Sequence, residues 1–200
     1  AAIGVALVGI LGRPGRWSDR LTSGVLAAAW LWLGVVFFGR HAAQTDPLLG
    51  AIYGAMFVYQ AFLFVGDGVL GDRLAFEACT RATSRVGWAA LGYALVAYPL
   101  IGLALGLGYP ESPLFAMAPC PTAIATFGLL LLARPPLPKH LLVIPSIWAV
   151  LAPLAAVGHG YLQDLGLFVV GALAVALILR RDRVRGDDRA PRQPKQEALR

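Results

Sequence analysis

Seven apolar blocks follow one another along the chain, separated by short polar gaps. Their extents predict helices over about 1–11, 21–39, 47–65, 86–107, 121–133, 141–157 and 165–179. The first block reaches only roughly 16 Å as a helix. It reads as the second half of a helix that starts upstream of Ala1, and the absence of a basic run before it is a poor fit to a signal peptide. The fifth block is short as well, about 20 Å against a bilayer core of about 30 Å. Between the third and fourth blocks, Leu70, Leu74 and Phe76 are interleaved with Asp72, Arg73, Glu77 and Arg81. That mixture predicts a short helix lying at an interface.

The gaps alternate in charge. Arg13, Arg16 and Arg20 share the first, Arg73, Arg81 and Arg85 the third, and Arg134 and Lys139 the fifth, while every remaining Lys and Arg except Arg40 lies from Arg180 onward. Residues 109–121 and 158–164 contain no Lys or Arg. Such alternation is the positive-inside pattern of a polytopic transmembrane helix bundle, all-α, with about seven spans of which the first is truncated. The N-terminus is then outside and the C-terminus cytoplasmic. Residues 1–180 form the membrane domain, and 181–200, polar and with two prolines, form a disordered basic tail.

Composition agrees. Hydrophobic residues make up 58% of the 200 positions and charged residues 14%, where soluble domains carry about 25% charged. The expected partner is therefore a lipid bilayer. The net charge of +6 does not indicate nucleic acid, because much of it sits in the tail, where it anchors the last helix at an anionic leaflet.

Candidate chemistry gathers at the outer end. Met117-Ala-Pro-Cys-Pro-Thr122 opens the short fifth block, with Pro121 as its first helical residue and Cys120 at its N-cap. Short or interrupted helices point to transporter sites, because free N–H groups at a helix start attract ligands. Cys120, Thr122, Met117, Tyr98 and His159 are the candidate ligand-binding residues; the alternative is that Pro-Cys-Pro merely shapes a compact cap. His41, Asp46, Glu111 and Asp164 fall on the same side. Their spacing is no metal motif, and no metal or other cofactor is expected. Cys79 falls in an inner loop and Cys120 in an outer one, too far apart for a disulfide. No ionisable residue occupies the middle of a predicted helix, which argues against a proton-driven pump. Gln60, inside the third block, is placed to hydrogen-bond a neighbouring helix, and Gly50 and Gly54 suit close packing.

Trp30-Leu-Trp-Leu-Gly34, Tyr93-Ala-Leu-Val-Ala-Tyr98-Pro99-Leu-Ile-Gly102, Pro119-Cys120-Pro121-Thr122, Thr126-Phe127-Gly128, Ile144-Pro145 with Trp148, and Asp164-Leu-Gly-Leu167 occur in that order. Together they resemble a family of bacterial multi-pass membrane proteins of unknown function, over about residues 21–180. The resemblance implies a protein of the bacterial inner membrane and no activity. The family's Tyr-His pair after the tryptophan-rich stretch is replaced here by Val36-Phe37-Phe38, with His41 slightly later.

The function expected from these readings is a small-solute or ion permease, or a membrane protein that binds such a ligand at an outward-facing site near Cys120. An enzyme is not expected. A scaffold or assembly subunit, working as a homo-oligomer or with a partner subunit, is the competing class.

Overall fold

A computed structural model describes residues 2–13, 15–77, 81–106, 114–157 and 164–189. The described residues form seven helical rods: α1 (Ala2–Leu11), α2 (Arg16–Thr45), α3 (Pro47–Leu70), α4 (Ala82–Ala104), α5 (Pro119–Leu132), α6 (139–157) and α7 (Leu165–Arg189). Among the described residues there is no strand, only an isolated antiparallel bridge between Phe76 and Ala133. Three of the rods, α2, α3 and α4, are long and apolar enough to cross a membrane.

Local chemistry sets the rod ends. Asp46 caps α3, its carboxylate accepting from the backbone N–H groups of Leu48 and Leu49 at 3.0 Å each, and Pro47 follows at the first helical position. α3 runs past the expected end near Val65 to Leu70, through a π-helical last stretch over Val65–Leu70. α2 is also longer than expected, because Arg16 to Arg20 already form its first turn and a π-helical stretch over Leu33–Ala42 carries it on. α5 starts two residues earlier than the sequence suggests. Pro119 is its first residue, and Ala118, in an extended conformation, occupies the cap position expected for Cys120. α5 remains the shortest rod after α1.

Packing follows small residues. A Cβ on Gly34 would sit 2.8 Å from the Gly54 carbonyl oxygen, and one on Gly54 would sit 3.0 Å from that of Gly34, so α2 and α3 touch through their backbones. Gly87 and Gly128 bring α4 and α5 together in the same way, each hypothetical Cβ 2.9 Å from the other's carbonyl. α5 is central. Apart from half-buried Cys120, all its residues are buried, as befits a helix that is apolar all round. Trp30 reaches it from α2, donating from Nε1 to Thr126 Oγ1 at 3.0 Å. Trp30, Phe38, Phe57 and Trp148 form a tilted and edge-to-face aromatic cluster joining α2, α3 and α6. Gln60 donates to the Leu141 carbonyl at 3.2 Å, the interhelical contact expected of it. The outer surfaces of the other long rods are apolar: Trp32, Val35, Ile52, Phe62, Leu100, Leu154 and Phe168 are all exposed.

The rods alternate in direction, so the first, third and fifth connections and the end of α7 share one end. Asp72 ties the third connection to α2, pairing with Arg16 at 2.5 Å and with Arg20 at 2.8 and 3.0 Å. Arg134 pairs with Glu77 at 2.7 Å. Asp67 takes Arg73 at 3.0 Å and also His140.

One expectation is overturned at this end. Residues 71–77 form no interfacial helix; they run extended, with Leu74 and Phe76 alternately buried and their backbone held by Asp19 (from Phe76 N–H, 2.8 Å) and Arg134 (N–H to Ala75 carbonyl, 2.7 Å). The polar anchors, absent from any local pattern, decide the conformation. α7 is longer than the expected span ending near Leu179, continuing to Arg189. Buried Arg181 donates to the Leu131 and Ala133 carbonyls at 3.3 and 2.7 Å, satisfying the end of α5, and Asp182 accepts from Leu137 N–H at 2.9 Å. Residues 190–200, Cys79, Glu111 and the loop from Tyr109 to Pro113 lie outside the described residues.

Candidate functional site

The opposite end of the bundle holds a different arrangement. α4 carries a π-helical turn over Tyr93–Ala97, in which the Tyr98 N–H reaches the Tyr93 carbonyl. In an α-helix two residues five apart point about 140° away from each other. The wider i→i+5 turn brings them over one another, and the two phenol rings meet edge to face with centroids 6.0 Å apart. Tyr93 occupies the space that a Cβ on Gly166 would fill, so a residue without a side chain at the start of α7 is what lets the phenol in.

Tyr98 donates a short hydrogen bond to the carboxyl of Asp164, the residue just before α7. Cys120, in the first turn of α5, lies within reach of both the Asp164 carboxyl and the Tyr98 hydroxyl. It is half-buried and a free thiol. Burial pushes the Asp164 carboxyl up from the ordinary carboxylate range, and the hydrogen bonds from Tyr98 and Cys120 pull it back. No Lys or Arg among the described residues pairs with Asp164.

Trp148 on α6 closes the cluster. It is 8% exposed, and its Nε1–H faces the Cys120 sulfur, a weak acceptor, with no oxygen or nitrogen acceptor among the described residues. A buried donor left without a strong acceptor costs up to about 1–3 kcal/mol. A phenol, a carboxyl, a thiol and a weakly satisfied indole N–H therefore converge from α4, the start of α7, α5 and α6. Together they can accept and donate hydrogen bonds to one small polar group.

The turn before α5 keeps Cys120 in place. Thr122 Oγ1 accepts from Ala116 N–H at 2.9 Å and donates to the Ala118 carbonyl at 2.8 Å. Ala116 has φ of 65°, the left-handed region that a residue with a Cβ rarely adopts, and the Thr122 bond is what holds it. Thr126 continues the ladder, donating to the Thr122 carbonyl at 2.8 Å and accepting from Trp30.

Of the five residues singled out in the sequence, Tyr98 and Cys120 thus meet, and Thr122 shapes the turn beneath them. Met117 is 51% exposed and turned to the surface. His159 lies outside the described residues. His41 is exposed and Asp46 serves as a helix cap. No group of three His, Cys, Asp or Glu among the described residues could hold a metal. Asp164 and Trp148 carry as much of the cluster as Cys120 does. Asp164 lacks a basic neighbour in the sequence and sits at a helix start, which was a usable signal. Trp148 gave no sign of a polar contact, since Cys120 lies 28 positions away in the sequence.

No curated protein and no solved structure matches the chain. A family model does, over residues 1–189, described as a family of unknown function, DUF6064. With nearly its whole length covered, the chain belongs to that family of unknown function.

Proposed function

We propose that this chain is an integral membrane protein that binds a small polar solute or cation at the Tyr98–Cys120–Asp164–Trp148 cluster, with the basic end of the bundle in the cytoplasm and the cluster opening outward, as in a permease or a ligand-binding membrane subunit. The membrane reading is supported by the exposed apolar surfaces of α2, α3, α4, α6 and α7, far more than a soluble monomer leaves uncovered. Orientation is supported by the gathering of the basic gaps at one end. The observation that carries the ligand reading is the buried Trp148 Nε1–H, which has no oxygen or nitrogen acceptor among the described residues, next to a thiol that also reaches Asp164, a carboxyl with no basic partner among them. A ligand with one acceptor for the indole and a donor or positive charge for Asp164 satisfies both.

The test is a thermal-stability screen of detergent-purified protein against metal cations, ammonium-type cations and small neutral polar solutes. A ligand at a hundred times its Kd stabilises by about 2.7 kcal/mol. The stabilisation should vanish in Trp148→Phe and weaken in Asp164→Asn, which keeps an acceptor for Tyr98. A hit equally strong in both variants binds elsewhere and contradicts the reading. Co-purification of a partner chain, with no ligand stabilising the protein, supports the assembly-subunit alternative instead.

A further inference from the structure

At the basic end, a groove of about 610 Å³ runs along α2 beside the last turn of α3. Leu21 and Val25 form one wall, Val69 and Leu70 the other, and Gly24 and Ala28 lie at its floor. A Cβ on Gly24 would meet nothing within 4 Å, so the floor is open space rather than packed core. The mouth is different in kind: Arg16, Trp17 and Arg20 surround a smaller adjoining hollow. Trp17 is 78% exposed. Asp72 pairs with both arginines but can neutralise only one. The pairing with Arg20 engages its Nε and one terminal nitrogen, and that with Arg16 a single terminal nitrogen, so donors remain free at the mouth.

The groove's length identifies its occupant. From Trp17 to Ala28 the helix rises about 16 Å, close to half of the roughly 30 Å hydrocarbon core, the depth of one leaflet. A slot that is apolar for one leaflet and ends at a Trp and two arginines has the charge and shape of a phospholipid turned headgroup-outward. A free phosphate would use the mouth and leave the apolar slot empty.

We propose that this groove is a binding site for an anionic phospholipid of the cytoplasmic leaflet, its phosphate held by Arg16 and Arg20, its acyl chain lying over Gly24 and Ala28. This rests on the membrane reading above. Native mass spectrometry of the full chain from detergent, with phosphatidylglycerol or phosphatidylcholine added, tests it. Phosphatidylglycerol should be retained over phosphatidylcholine by about fivefold or more, the effect of a basic residue near an anionic lipid surface. Arg16→Gln should erase most of that preference while leaving the Arg20–Asp72 pair intact. Gly24→Leu should fill the slot and lower retention of both lipids about tenfold. Glycerol 3-phosphate, which has the headgroup chemistry without chains, should not displace the lipid at equal concentration. Equal retention of the two lipids, an unchanged Gly24→Leu, or displacement by glycerol 3-phosphate overturns the proposal. A chain that stays soluble without detergent, or that alkaline carbonate strips from membranes, overturns the membrane reading itself.

Discussion

The two ends of the bundle treat their carboxylates in opposite ways. At the basic end Asp67, Asp72, Glu77 and Asp182 each have a cationic partner, and half-buried Asp19 is held by a backbone N–H. These groups connect α2, the 71–77 segment, α5 and α7, and their work is structural. At the far end Asp46 caps a helix, and Asp164 stands beside a phenol and a thiol with no basic partner among the described residues. An acid that the fold does not neutralise, sharing a thiol with a weakly satisfied indole N–H, is what separates this end from an anchor.

The largest effect expected from breaking this contrast is at Arg181. Arg181→Met removes the donor from the Leu131 and Ala133 carbonyls and leaves the buried Asp182 side chain without its cation. Losing one partner of a buried ionic group costs about 3–5 kcal/mol, and unfolding in detergent should report it. Next comes Asp164. Asp164→Ala strands the buried Tyr98 hydroxyl and should cost about 1–3 kcal/mol. Asp164→Asn keeps an acceptor and should cost clearly less. Equal losses in the two variants would mean that Asp164 is held by something other than the Tyr98 bond.

Much of the fold was legible before any coordinates. Seven rods, their alternation and the gathering of the basic gaps follow from block length and charge, because a helix period and a charge count are local properties. The Gly50–Gly54 region and Gln60 were legible for the same reason, as a small or polar residue inside an apolar block has few roles. The extended run from Gly71 to Glu77 was not. Its Leu74 and Phe76 suit a half-buried helix as well as an extended segment, and Asp19 and Arg134, distant in sequence, make the choice. The continuation of α7 through Arg181 and Asp182 was hidden likewise, since a basic run reads as solvated until the α5 carbonyls are brought to it. At the site, Cys120 and Tyr98 could be named, but not their joining by Asp164, which depends on the π-helical turn over Tyr93–Ala97.

The smallest effect is at Asp72. Its pairing with Arg20 and Arg16 holds the carboxyl down at about 2. A depressed acid contributes its stability above its ordinary value of 3.8 and loses it as pH falls from about 4 toward 2. Asp72 is exposed, so the loss should be slight and should shrink further in high salt. A pH titration of wild type against Asp72→Asn checks it; the two curves should converge near pH 2.

The central claim is that Cys120 belongs to a site reached from outside. Its direct test uses a Cys79→Ser background, so that Cys120 is the sole thiol, with a membrane-impermeant maleimide added to intact cells. Labelling should proceed from outside, and a ligand found in the stability screen should slow it. Trp148→Phe should abolish that protection while leaving the thiol reactive. Labelling only after denaturation, or only from the cytoplasmic face of inverted vesicles, would contradict the account.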